Sequence, residues 1–374
     1  YCRYNKMNFR VNKKIIKYIG IVCIALFGAF IFHVSPDDNM DFVRYQSILR
    51  SIRLSQIDFW DFWRNGTQIS REVGAAQKYA FCENILIYIV AKFFTNDYIL
   101  VWLSIFIDYT CIAYIAFDIK YNSRYSFLQI IVSILVCFAE LPFIHACSGL
   151  RTATASCVMA VAVYVYLYKQ CKTIFFIILS VLAIGFHPCI LFAIIIALAI
   201  GLTKNNITII GVIFGIMLLP EIVKKFMNSQ VPFLVMLAQK YITYTSDNQF
   251  RAYRTFKYGT ILVCVLCIVY LLFEGSIGKK LQNSNRLKTD KLKNVKTFFI
   301  AYMCIILGNV NSYELVVRSG YLIGAMAPLL SLSIFGYRCE KNNYVYFTIR
   351  FAIIVLTMVM SVTYIKYYYQ WFVI

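Results

Sequence analysis

Charge is what this chain has least of. Only 14% of its 374 residues are charged, where a soluble domain carries about a quarter. Carboxylates are the scarcer sign, 17 against 37 lysines and arginines. Proline (6) and glycine (16) are also few, so long helices meet few breaks. The alternating ten-residue pattern of an outer-membrane β-barrel is absent. No glycine-rich phosphate loop, Ser/His/Asp constellation or zinc-ligand spacing occurs, which argues against nucleotide-driven chemistry. No internal repeat is visible, which weakens an inverted-repeat transporter.

What fills the chain instead is apolar: 61% of residues are hydrophobic, with mean hydropathy +0.69. Apolar runs of roughly 16–20 residues recur, long enough or nearly so to cross ~30 Å of hydrocarbon as helices. The expectation is an all-α polytopic transmembrane bundle of about 11–13 spans, forming one membrane domain over 1–374. The spans fall at 15–33, 79–95, 98–117, 126–143, 151–168, 173–187, 188–202, 206–220, 257–273, 297–310, 320–337 and 345–363. Segment 15–33 lacks a small-residue cleavage site and is expected to be a first span acting as an anchor. The thirteen cysteines lie mostly inside spans, where cysteine behaves as a small hydrophobe. The Cys264/Cys267 CxxC is flanked by apolar residues on both sides, which argues against a metal.

Net charge +20 is explained by lipid and topology rather than nucleic acid, because the lysines sit in short loops beside spans. Lys6, Arg10, Lys13, Lys14 and Lys17 precede the first span and place the N-terminus in the cytoplasm. Segment 274–296 has seven Lys/Arg against two carboxylates and is expected there too. Nine spans precede that loop, and an odd number cannot return the chain to its starting side. The basic loops outweigh the span count, so one segment is miscounted, most naturally within 79–117, where Asn96-Asp97 suggests a bend. Two segments then lie at the outer face, 34–78 and 221–256. The first carries the amphipathic spacing Phe42, Tyr45, Ile48, Leu49, Ile52 and the aromatic run Phe59-Trp60-Asp61-Phe62-Trp63. The second holds Tyr241, Tyr244 and Tyr253 beside Arg251 and Arg254.

Four elements carry chemistry. Asp37, Asp38 and Asp41 follow the first span, either as a base held just outside the bilayer or as a solvated helix cap. Arg151 follows Ser148-Gly149-Leu150 and opens a span. It is either an anion-binding fork or a snorkelling interfacial arginine, and His145 and Glu140 nearby favour the first. His187 precedes Pro188, which pushes it out of the α region and breaks the helix there. That histidine is a site residue or a structural one bonded to backbone. Glu314 and Arg318 stand one helical turn apart, as an ion pair or as a second arginine converging with Arg151 on one polyanion.

These elements, in this order, resemble the EpsG-like family of bacterial membrane proteins, within the wider set of Wzy-type O-antigen and exopolysaccharide polymerases. The resemblance rests on Asp41-Phe42-Val43-Arg44-Tyr45 after the first span. It rests also on Ser148-Gly149-Leu150-Arg151-Thr152-Ala153-Thr154-Ala155 opening a later one, and on Phe186-His187-Pro188-Cys189-Ile190-Leu191 about thirty-six residues on. Arg318-Ser319-Gly320-Tyr321 is similar to a late Arg-x-x-x-Tyr element, with the spacing off by one.

The resemblance implies polymerisation of undecaprenyl-diphosphate-linked oligosaccharide repeat units at the outer face of the bacterial inner membrane. On that account Arg151 and Arg318, with Arg251 and Arg254, hold the diphosphate. Asp38, Asp41 or His187 takes the proton of the acceptor hydroxyl. Trp60, Trp63, Tyr241 and Tyr244 stack on sugars. No cofactor or metal is required, and the pathway's flippase and a chain-length regulator are the expected partners beside membrane lipid. The competing readings are a single-sugar lipid-linked transferase, a glycan ligase, or a flippase or transporter.

Overall fold

The computed structural model describes residues 19–33, 41–62, 80–122, 127–203, 225–231, 254–277, 286–310, 312–335 and 344–368, with isolated positions between 211 and 239. Among these residues the architecture is an all-α bundle without strands. Helix α1 is Ile19–Phe30, α2 Asp41–Ser55, α3 Phe81–Phe93, α4 Ile99–Asn122, α5 Phe127–Glu140, α6 Phe143–Ser148 and α7 Leu150–Val163. After them come α8 Thr173–Phe186, α9 Leu191–Thr203, α10 Arg254–Ile277, α11 Arg286–Gly308, α12 Tyr313–Ala325, α13 Ala327–Phe335 and α14 Tyr344–Tyr368.

Helix α7 is the axis. It runs on through a π turn at Tyr164–Tyr168, and 89% of its apolar window is buried inside the protein. Its sequence explains this, since Ala153, Ala155, Ser156, Cys157, Ala160 and Ala162 are small enough for neighbouring backbones to approach closely. Helices α4, α8 and α12 pack on it. A second group forms around α5, which meets α12, α13 and α14. The packing of α12 is close: a Cβ at Gly320 would lie 2.6 Å from Glu140 Oε2, and one at Gly324 2.7 Å from Leu141 Cβ. Glu140 is itself buried and accepts from Thr260 Oγ1 at 2.9 Å. By contrast α8 and α14 turn Ile174, Phe175, Val181, Phe351, Met358 and Val362 outward, as lipid-facing helices do.

Three described helices are long and apolar enough to cross a membrane: Ile99–Ile119, Leu150–Tyr168 and Tyr344–Lys366. The pair Leu315–Ala325 and Ala327–Phe335 makes a fourth if counted as one span bent by 72°. Pro328 accounts for that bend, having no N–H for the ladder and a ring that clashes with the carbonyl four residues back. Phe127–Glu140, Thr173–Phe186 and Pro188–Thr203 are shorter, because breaks at Leu141-Pro142 and His187 divide the apolar runs. The expected span 206–220 lies outside the described residues.

Contacts mark two ends. At one, Tyr164 donates to Asp118, Lys169 Nζ lies 3.1 Å from Asp118 Oδ2, and Arg350 Nη2 donates to Tyr270 and to the Ile334 carbonyl, both at 2.5 Å. At the other, Phe256 stacks on Tyr364 at 3.8 Å, and the start of α4 meets the end of α1 through Trp102 on Phe30. Helix α3 stays at this second end. Its first turn meets Arg151 and Gly185, and its Ala91 carbonyl accepts from Arg53 of α2. Arg53 also reaches Asp97, in the turn that leads into α4. The expected span 79–95 is therefore a helix whose two ends both lie at this end of the bundle. The amphipathic helix expected from Phe42 to Ile52 is present as α2, with all five spaced residues buried.

A cysteine replacing Thr95 in a cysteine-free background should differ from one replacing Lys172 in labelling by an impermeant maleimide on spheroplasts. One reacts and the other is shielded. The same response at both would mean that α3 crosses.

Candidate active site

The site is built where α2, α3, α6, α7 and α12 come together. Arg151 occupies the first turn of α7, after Gly149 breaks the chain from α6. Its Nε lies 3.3 Å from Oε1 of Glu83, whose side chain is only 5% exposed. On its other side the guanidinium lies 5.8 Å from the centre of the Tyr45 ring. Burial, with Glu83 and Asp41 nearby, pushes the Tyr45 phenol well above the usual range despite Arg151. Tyr45 thus stays protonated. Glu83 meets Arg151 at Nε and the Tyr45 ring lies beside the guanidinium, and among the described residues no hydrogen bond is seen at its two terminal nitrogens. Those nitrogens are the fork that serves a phosphate bidentately.

Arg318 and Asp41 stand close enough for their charges to act on Arg151. The Asp41–Tyr45 spacing of four puts both residues on one face of α2, and Asp41 also pairs with Arg44 at 3.5 Å. Arg318 lies in α12, which the glycines at 320 and 324 let approach α5. One turn on from Arg318, the Tyr321 hydroxyl meets His145 Nδ1 at 2.5 Å. Which of the two donates depends on the imidazole tautomer. Tyr364 packs edge-on against His145 as well, 5.6 Å between ring centres.

His187 lies at the predicted break. Helix α8 stops at Phe186, His187 is extended (φ −159°, ψ 134°), and a 3-10 turn follows at Pro188–Ile190. Its Nδ1 accepts from the Cys189 N–H at 3.1 Å. That turn packs against α7 and α12, and both arginines act on the Cys189 thiol.

The structure therefore brings Asp41, Arg151 and Arg318 together, with the His187 turn beside them. Trp60 stands apart in a short turn, 65% exposed, with Phe59 next to it and Phe62 against Tyr88. Asp38, Trp63, Tyr241, Tyr244 and Arg251 lie outside the described residues. Arg254 begins α10, but its side chain and that of Glu314 are not described. Sequence reasoning missed Glu83, although a carboxylate inside the apolar run 79–95 was a visible signal. It also gave Tyr45 and Tyr321 no role. Cys264 and Cys267 are buried free thiols in α10.

Removing Glu83 strands the Arg151 charge. Breaking a fully buried pair costs about 3–5 kcal/mol, and less is expected here because Arg151 is 21% exposed. Glu83→Ala should melt several degrees below wild type in detergent, and Glu83→Gln, which keeps an acceptor, less far below. Equal melting of Glu83→Ala and wild type would remove the pair from the fold.

The EpsG family profile matches residues 82–373. The matched stretch holds Glu83, His145, Arg151, His187 and Arg318, and it leaves out Asp41 and Tyr45. No curated protein and no solved structure matches the chain. A family match over this much of the chain, on an all-α membrane bundle, places the protein in the EpsG family of exopolysaccharide/O-antigen polymerase-like membrane proteins.

Proposed function

We propose that this protein polymerises oligosaccharide repeat units carried on undecaprenyl diphosphate, at the outer face of the bacterial inner membrane. The observation that supports it most is the convergence of Arg151 and Arg318 at one end of the bundle, with Glu83 and Tyr45 orienting the first of them. Two guanidinium groups suit a diphosphate, and no nucleotide sugar is needed because the lipid diphosphate is itself the leaving group.

In the reaction the bond between the anomeric carbon of the donor glycan and its phosphate oxygen breaks. A bond from that carbon to the acceptor hydroxyl oxygen forms. Asp41, with Asp38, takes the acceptor's proton and passes it to solvent. The charge that grows on the diphosphate falls to Arg151 and Arg318, with Arg251 and Arg254 as further cations. Hydrogen-bond donors already in place before the charge develops supply much of the acceleration in such sites, about 10²–10³ in rate for a single donor. The exposed Trp60, with Trp63, Tyr241 and Tyr244, would stack on sugar faces. Lipid-facing apolar helices would admit the polyprenyl tail. The Lys169 and Arg350 end, continuous with the basic 274–296 loop, is then the cytoplasmic one. This chemistry needs no metal. The pathway's flippase and a chain-length regulator are the proposed partners.

Arg151→Ala should lower polymer formation by about 100-fold or more with normal membrane insertion. Arg151→Lys should recover little, since a point charge does not replace a bidentate fork. The readout is surface polysaccharide on a silver-stained gel, where loss of the ladder with a single repeat unit still attached is the expected phenotype. An undiminished ladder in Arg151→Ala would remove this residue from the site. Complete loss of attached units in a strain lacking the protein would point to an earlier transferase, a ligase or a flippase.

A further inference from the structure

We propose that α3 is a half-depth helix whose outward face rests in lipid hydrocarbon, in the bilayer leaflet on the Arg151 side. Arg151 then lies within that leaflet and not above it. The inference assigns a partner to a surface and holds whichever ligand the arginine takes.

For a helix in water, the residues of α3 face the wrong way. Its carboxylate, Glu83, is buried with Ile87, Val90 and Ala91. Ile85, Ile89 and Phe93 stand outward instead, 38%, 40% and 76% exposed. They recur every fourth residue and so form one stripe, which the exposed Phe94 extends. Helix α2, packed against α3, shows the opposite pattern. It buries Phe42, Tyr45, Ile48 and Leu49 and exposes Arg44, Ser47 and Arg50. The two neighbours therefore meet different solvents, water and headgroups for α2, hydrocarbon for α3.

Continuity identifies what covers the stripe. The first turn of α3 packs on Gly185, at the end of α8, and α8 already faces lipid with Ile174, Ile178 and Val181. Charge marks the other end. Lys92 lies over Tyr88 at 5.6 Å, and Asp97 holds Arg53 at 2.5 Å and Arg50 at 3.8 Å. Such groups belong at headgroup level.

Depth follows from the register of α4 and α7, which run side by side in the same direction. Tyr164 meets both Tyr114 and Asp118. Arg151 lies 13 residues before Tyr164, about 20 Å of helix. Ile99, where the apolar window of α4 opens, lies 19 residues before Asp118, about 29 Å. Arg151 is thus roughly 9 Å deeper than the entry of α4 into hydrocarbon. Glu83 meets Arg151 at 3.3 Å, while Asp97 leads into Ile99. Helix α3 therefore descends from headgroup level at Phe93 to the depth of the arginine at Glu83.

The test uses full-length protein in vesicles of phosphatidylethanolamine and phosphatidylglycerol. Ile85→Cys, Ile89→Cys, Phe93→Cys and Ser47→Cys, each in a cysteine-free background, carry a nitroxide. Collisions with oxygen, which concentrates in hydrocarbon, are compared with collisions with a water-soluble nickel chelate. Labels at 85, 89 and 93 should meet oxygen more than chelate, and the label at 47 the reverse. Depth should fall from 85 to 93, by at most about 12 Å. In the otherwise unaltered chain, Ile89→Asp should reduce the protein recovered in the membrane several-fold, and Ser47→Asp should leave it unchanged. Chelate collisions at 85 and 89 equal to those at 47 would place the stripe in water. Shielding from both reagents would mean that protein, such as a second copy, covers it. Equal depth at 85 and 93 would lay α3 flat at the surface. Any of these overturns the proposal, as does equal recovery of the two aspartate variants.

Discussion

The structure depends on what happens to one charge. An arginine at the centre of a lipid-exposed helix costs roughly 2.5–3.5 kcal/mol on insertion scales. Arg151 avoids that environment because Glu83 meets its Nε and the Tyr45 ring lies beside its guanidinium. Each partner belongs to a different helix, so the pairing ties α2 and α3 to the first turn of α7. It also holds the first turn of α3 at one end of the bundle. The pairing consumes Nε and leaves the terminal nitrogens, the part of a guanidinium that recognises phosphate.

Packing supplies the second arginine. Helix α12, which carries Arg318, packs close because it has glycine where it presses on Glu140 and Leu141, and the chain then bends by 72° into α13. The other breaks lie at the same end: Leu141-Pro142, Gly149 and His187-Pro188. Irregular backbone at membrane depth survives only where protein or a polar cavity surrounds it. Here it surrounds the arginines.

The family relationship and the geometry bear on different residues. The family match begins at residue 82 and so says nothing of Asp41 and Tyr45. The fold brings these two beside Arg151 all the same. Conversely, the late Arg318-Ser319-Gly320-Tyr321 element is off the expected spacing by one, yet several of its residues have a visible task at this end. Arg318 acts on the charge of Arg151, Gly320 admits Glu140, and Tyr321 bonds His145. In this element, shared space matters more than register.

Much of the architecture was legible in the chain. Hydropathy gave most of the helices, though α11 begins at Arg286, inside the expected loop, and the expected span 320–337 is two helices, α12 and α13. The Phe42–Ile52 spacing gave α2, and His187-Pro188 gave a break, because each depends only on neighbours in sequence. The lone arginines were legible as site residues for the same reason, since a charge in an apolar run is costly wherever it points. Sequence could not say which partner offsets that cost. Glu83 lies 68 residues from Arg151 and Tyr45 lies 106 away, and neither distance leaves a local trace. Nor did the apolar run 79–95 show that its helix is only 13 residues long and that its contacts with Arg53, Gly185 and Arg151 hold it at one end. Local composition settles what a segment is; burial of a charge, a long-range condition, settles where it goes.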